Sequence, residues 1–122
     1  MLNIVYVALG GAIGASLRYS AGLAFGSGAQ ATLFVNVAGS LALGVLMGWL
    51  TTRTVESGNV LMLFLGVGLL GAFTTFSAFS RETVHFFMQG EVLRGSIYAG
   101  VNMVGALAAF AMALVITQRG LS

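Results

Sequence analysis

This sequence predicts an all-α, membrane-integral fold with four crossing helices, and three observations predict it. Hydrophobic residues make up 58% of the 122 and charged residues 7%, whereas a soluble domain carries about 25% charged residues. The mean hydropathy of +1.01 leaves too little polar surface to cover a water-exposed globule. Finally, the apolar residues fall into four stretches, at approximately 3–24, 32–51, 60–88 and 93–117, each fitting the ~20 residues that a span needs. The connections are short, so residues 1–122 read as a single transmembrane domain with no separate soluble unit.

The first stretch lacks the basic leading region of a secretory signal and is followed by three more, so it reads as a retained span. It carries Gly10, Gly14, Gly22 and Gly26 at multiples of four residues, with Arg18 in the same row. The second stretch carries a similar row of Asn36, Ser40, Gly44 and Gly48. Small residues at this spacing let helix backbones approach closely, the main source of association in lipid. Arg18 and Asn36 are the exceptions, because a charge and an amide need partners or water. The breaks between spans are marked by Gly26-Ser27-Gly28, by Thr51-Thr52-Arg53 through Ser57-Gly58-Asn59, and by Gln89-Gly90-Glu91.

The third stretch is the informative one. Residues 60–88 would form a helix of about 43 Å against a hydrocarbon core near 30 Å, so it either tilts and protrudes or is broken. Gly66, Gly68 and Gly71 followed by Thr74-Thr75 favour a break near mid-membrane. Proline is absent, so glycine and hydroxyl bonding would have to supply it. Interrupted backbone at that depth is tolerated only within protein or beside water. The carbonyls that it frees suit a cation. Beyond the break, Phe76 and Phe79 sit about 60° apart on a helix, as do Ser77 and Ser80, so rings and hydroxyls border one another. One reading is aromatic packing with serines bonded back to their own helix. The other uses the electropositive phenyl edge, which with serine, threonine and Asn36 donors can replace an anion's hydration without a fixed charge. In the fourth stretch Tyr98 and Asn102, four apart, either extend this polar face or form a helix–helix bond.

Several function classes are excluded. One histidine and three acidic residues supply no nucleophile–base pair, so an enzyme is not expected. His85 reads as an interfacial residue near the end of the third span. The absence of cysteine removes thiolate metal sites. Five dispersed basic residues, all arginine, are no nucleic-acid surface. Gly66-Val67-Gly68-Leu69-Leu70-Gly71 matches a dinucleotide fingerprint, but that motif has meaning only after a strand in a soluble βαβ unit.

Orientation is weakly specified. Arg53 and Arg119 fall on the side of the termini, against Arg94, Arg18 and Arg81 on the other. Such a near tie leaves two readings under the positive-inside rule: one orientation set by subtler signals, or insertion both ways round to give an antiparallel homodimer.

The run Thr74-Thr75-Phe76-Ser77-Ala78-Phe79-Ser80-Arg81-Glu82 closely resembles the CrcB/Fluc fluoride-channel family. So do Gly10-Gly11-Ala12-Ile13-Gly14 with Arg18-Tyr19, and Phe34-Val35-Asn36 with Gly39. The resemblance covers the whole chain in length, span count and motif order. It implies a dual-topology antiparallel homodimer of four-helix subunits, with two pores that export fluoride passively across the inner membrane of a prokaryote. Phe76 and Phe79 would line the pore with Asn36, the hydroxyls of Thr75, Ser77 and Ser80, and Asn102. Arg18 and Glu82 would stand in the vestibule. A structural sodium ion at the dimer interface would be held by the backbone carbonyls of Gly71 and Thr74. Ala78 and the Asn102–Ala106 pair depart from the family pattern, which leaves the ion path open at those points. A proton-coupled exporter of cationic compounds, also short and dual-topology, depends on a carboxylate deep in the first span, and residues 1–55 contain no Asp or Glu. A structural subunit without transport would leave the polar stretch at 74–82 unexplained.

Overall fold

The computed structural model describes residues 1–26, 28–53 and 59–121. Ser27 of the first break signal, and residues 54–58 with Ser57-Gly58 of the second, lie outside the described residues. The described residues are helical, with no strand among them. Four segments are long and apolar enough to cross a membrane: Leu2–Ala24, Ala29–Thr51, Met62–Met88 and Val92–Leu121. The first two are α1 and α2. The third contains α3 (residues 62–73) and α4 (Phe76–Met88). The fourth is α5.

The turns form where glycine permits them. Gly90, at φ 77°, takes the left-handed conformation that closes many helices. Its N–H bonds the Phe87 carbonyl at 3.0 Å and the Glu91 N–H bonds that of Phe86 at 2.9 Å, terminating α4. Gly28, at φ 98°, opens α2 three residues before the apolar run begins.

The main packing pairs join helices that are not neighbours in sequence, α1 against α3 and α2 against α5, while α4 packs on the α5 that follows it. The glycine rows explain the pairing. A Cβ on Gly10 or Gly14 would run into the backbone carbonyl of Phe64 or Leu69, and one on Gly68 would come within 2.7 Å of the Val7 carbonyl. Gly44 likewise faces the Phe110 carbonyl, and Gly48 lies against Leu114 and Thr117 on α5. Backbone-to-backbone approach of this kind gives the dispersion contact that holds helices together where lipid removes the hydrophobic drive. Outward faces carry large apolar side chains such as Leu9, Ile13, Val104 and Leu107, fit for lipid.

The third span departs from an ideal helix in two ways. Met62–Leu70 is wound as a π-helix, a rare form that concentrates at functional sites. The dinucleotide-like glycines fall on this stretch and Gly71, so no strand precedes them. Thr74 (φ −78°, ψ 157°) and Thr75 (φ −151°, ψ 115°) have extended backbone between the two helical parts. The departure from helical dihedrals thus falls on two threonines, not on the glycines before them.

Replacing Gly14 by Ala is expected to destabilise the protein by about 1–3 kcal/mol through overpacking against Leu69. Gly120→Ala, where nothing lies within 4 Å of the added carbon, is expected to be neutral. Thermal unfolding in detergent measures both.

Candidate functional site

Thr75 is where the candidate residues converge. Its extended backbone takes its N–H and C=O out of the helical ladder, and Asn36 on α2 satisfies both. Asn36 Oδ1 accepts from the Thr75 N–H at 2.7 Å, and Asn36 Nδ2 donates to the Thr75 carbonyl at 3.1 Å. The second Nδ2 hydrogen goes to Asn102 Oδ1 on α5 at 3.0 Å. Thr75 Oγ1 in turn accepts the Ala78 N–H at 3.2 Å, an N-cap that starts α4. It also lies 3.3 Å from Ser77 Oγ.

A second cluster adjoins the first. Glu82 is buried and accepts from Thr32 Oγ1 at 3.0 Å and from the Tyr98 hydroxyl at 2.6 Å. Arg81 stands 3.5 Å from the same carboxylate, but its side chain is 76% exposed. Asn102 Nδ2 lies 3.5 Å from the Tyr98 oxygen and joins the clusters. Among the described residues no buried side-chain nitrogen or oxygen lacks a partner.

Two cavities flank Thr75. One of about 490 Å³ is lined by Arg18, Thr32, Thr75, Ser77, Arg81 and Glu82 among others, so Arg18 and Glu82 face a common space. The other, of about 330 Å³, is lined by Asn36, Thr74, Thr75, Phe76, Phe79 and Asn102 among others, none of whose lining residues carries a formal charge. Phe76 and Phe79 have ring centroids 5.3 Å apart, tilted by 50°. Phe79 is 7% exposed and packs on Tyr98, whereas Phe76 is 72% exposed on this chain.

Ser80 stands apart from both cavities. Its hydroxyl donates to the Phe76 carbonyl at 2.9 Å, and it lines a third groove with His85; that groove shares Arg81 and Glu82 with the first cavity. His85 is exposed, with its Nε2 3.0 Å from Gln89 Nε2. Two members of the network, Thr32 and Tyr98, were not among the predicted pathway residues. The sequence pairs Tyr98 with Asn102 by their four-residue spacing without assigning Tyr98 to the pathway. Thr32–Asn36 is an i,i+4 pair of the same kind on the facing helix, a spacing that could have found Thr32.

No group of three or more His, Cys, Asp or Glu side chains among the described residues could hold a metal. A hard cation would therefore use neutral carbonyl oxygens. In a continuous helix the Thr75 N–H would bond the Gly71 carbonyl, but here it donates to Asn36. The Gly71 carbonyl receives a long 3.5 Å contact from Thr74 Oγ1. With its helical donor diverted, the Gly71 carbonyl is chemically suited to an alkali cation.

Comparison with known proteins bears on this site. The family profile described as CrcB-like protein, Camphor Resistance (CrcB), matches residues 5–114. A protein of Hyphomonas neptunium named fluoride-specific ion channel FluC is 44% identical, over 98% of this chain and 98% of its own. Proteins of the same name from Idiomarina loihiensis (44% identical, 95% of this chain and 92% of theirs) and Sphingopyxis alaskensis (40%, 98% of each) are similarly close.

Removing the Asn36 amide, as in Asn36→Leu, is expected to leave two backbone groups of Thr75 unsatisfied at about 1–3 kcal/mol each. Amide hydrogen exchange at Thr75 should accelerate in that variant, and its unfolding temperature in detergent should fall.

Proposed function

The chain belongs to the CrcB family, and from that premise we propose that it is a multi-pass fluoride channel, not an enzyme, that lets cytoplasmic fluoride leave passively. The observation that carries the reading is the uncharged cavity bordered by phenyl rings, next to a charged one that shares Thr75 with it. Arg18 draws anions into the outer space, where Ser77 and Thr75 offer hydroxyls. Beyond Thr75 the ion meets only neutral partners: the rims of Phe76 and Phe79 and the amides of Asn36 and Asn102. A phenyl edge attracts an anion, and neutral multi-site contact binds it without trapping it. Small size and strong hydrogen-bond acceptance make fluoride the anion best served by such donors.

No energy source is required. A negative-inside potential drives an anion outward by about 2.3 kcal/mol per charge per 100 mV. A proton-coupled exporter would need a free carboxylate in the first span, and α1 has none, while Glu82 is engaged by Thr32 and Tyr98.

The working form in this reading is an antiparallel homodimer with two pores, in the inner membrane of a prokaryote. Support comes from the near balance of arginines and from Phe76, whose 72% exposure on a lone chain suits a ring completed by a second copy. The third span is read as broken at Thr74–Thr75, supported by their extended dihedrals. Carbonyls of Gly71 and Thr74 from both copies would hold a sodium ion at the dimer centre. When bound, it would offset the negative ends of the interrupted helices.

Protein reconstituted in liposomes should release fluoride passively and retain chloride. Phe79→Ile should cut fluoride release at least tenfold, consistent with losing about 1.4 kcal/mol or more of ring contact, and unchanged flux would count against the ring-edge mechanism. For topology, a single cysteine at Gln89 in this cysteine-free chain should label from both sides of the membrane in similar amounts. Labelling from one side alone would rule out dual insertion.

A further inference from the structure

Asn102 enters the fluoride-channel reading only as one neutral partner of the ion, and the hydrogen bonds around it run in one direction. The Thr75 N–H can meet only an oxygen and the Thr75 carbonyl only an N–H, so the Asn36 amide has one allowed orientation. Its remaining hydrogen points at Asn102 Oδ1, 3.0 Å away. That sets the Asn102 amide in turn, with Nδ2 toward the Tyr98 oxygen. The Tyr98 hydrogen goes to Glu82 at 2.6 Å. Each group donates toward the carboxylate, and no member can reverse alone.

Asn36 therefore has no spare N–H at rest. Both of its amide hydrogens are taken, one by Thr75 and one by Asn102, which is only 3% exposed and lines the same cavity as Phe76 and Phe79. An anion in that cavity gains the second hydrogen only by displacing Asn102 Oδ1.

We propose that Asn102 is an internal stand-in for the transported anion, an acceptor that holds the Asn36 N–H while the cavity is empty and yields it when fluoride arrives. The proposal rests on the fluoride-channel reading above. A buried N–H left without a partner is costly, so an unoccupied cavity without the stand-in would be unstable and would hold its ion tightly. With it, fluoride replaces one acceptor by another, and the net gain per ion is small. Moderate binding of that kind is what conduction needs.

Currents recorded in planar bilayers against fluoride concentration test this through two substitutions at one position. Asn102→Leu keeps the volume and removes the acceptor. Its half-saturating fluoride concentration should fall roughly three- to tenfold, the range of a single exchanged hydrogen bond, with a lower maximal current. Asn102→Asp keeps an acceptor and adds negative charge. Its half-saturating concentration should rise by a similar factor. A merely structural role would lower the current in both variants without moving this concentration in opposite directions. Shifts in the same direction, or none, overturn the proposal. If the leucine variant does not fold, the aspartate variant decides alone, and no rise there overturns it. A wild-type protein that carries no fluoride current would instead overturn the channel reading itself.

Discussion

The grip of one side-chain amide on one backbone residue is the interaction on which the rest of this structure depends. Lipid offers no water to an unpaired peptide group, so extended backbone inside a span survives only if something replaces the lost helical bonds. Asn36 does this for Thr75, reproducing with its oxygen and nitrogen the two-bond pairing of neighbouring strands. Three consequences follow from it. The Gly71 carbonyl loses its helical donor, the Thr75 hydroxyl is placed to cap α4, and α4 starts so that Phe79 points inward to Tyr98 while Phe76 faces out. A different residue at position 36 would disturb all three together.

Charge is handled by separation. Arg18, Arg81 and Glu82 border one cavity, and the space on the other side of Thr75 is lined by neutral groups. Glu82 sits in the protein with two hydroxyl donors, Thr32 and Tyr98, its partner Arg81 lying mostly at the surface. Hydrogen bonds to a charged group are worth about 1.5–3 kcal/mol each, enough to make this carboxylate a fixed terminus for the chain of amides leading from Asn36. Its burial is therefore tied to the orientation of groups two helices away.

Much of the fold was legible because hydropathy measures membrane thickness directly. It located four spans and the run from Thr74 to Glu82. It placed the start of α2 at residue 32 and the end of α5 at 117, whereas the helices span Ala29–Thr51 and Val92–Leu121. Helical hydrogen bonding continues through polar residues such as Gln118 and Arg119 that a hydropathy window excludes. The π-winding of Met62–Leu70 was invisible, because neither hydropathy nor glycine spacing distinguishes it from α-helix. At the candidate site, Asn36, Thr75 and Asn102 were readable as costly polar groups in apolar surroundings. Thr32 was hidden by its place at a span boundary, whereas Tyr98 was visible by its spacing from Asn102 but its bond to Glu82, 16 residues away, was not. The hydroxyl of Ser80, predicted alongside Thr75 and Ser77, bonds its own helix, a competition that spacing alone cannot decide.

The pairing of α1 with α3 and of α2 with α5 also bears on how the chain is made. A ribosome delivers α1 and α2 in succession, yet these two touch each other little. Each leaves the insertion machinery with its glycine face against lipid and must wait for a partner still to be synthesised. Assembly is completed only when the last helix arrives. A chain stopped before α5 would leave α2 without its mate and Asn36 without Asn102, an orphaned intermediate exposed to membrane quality control.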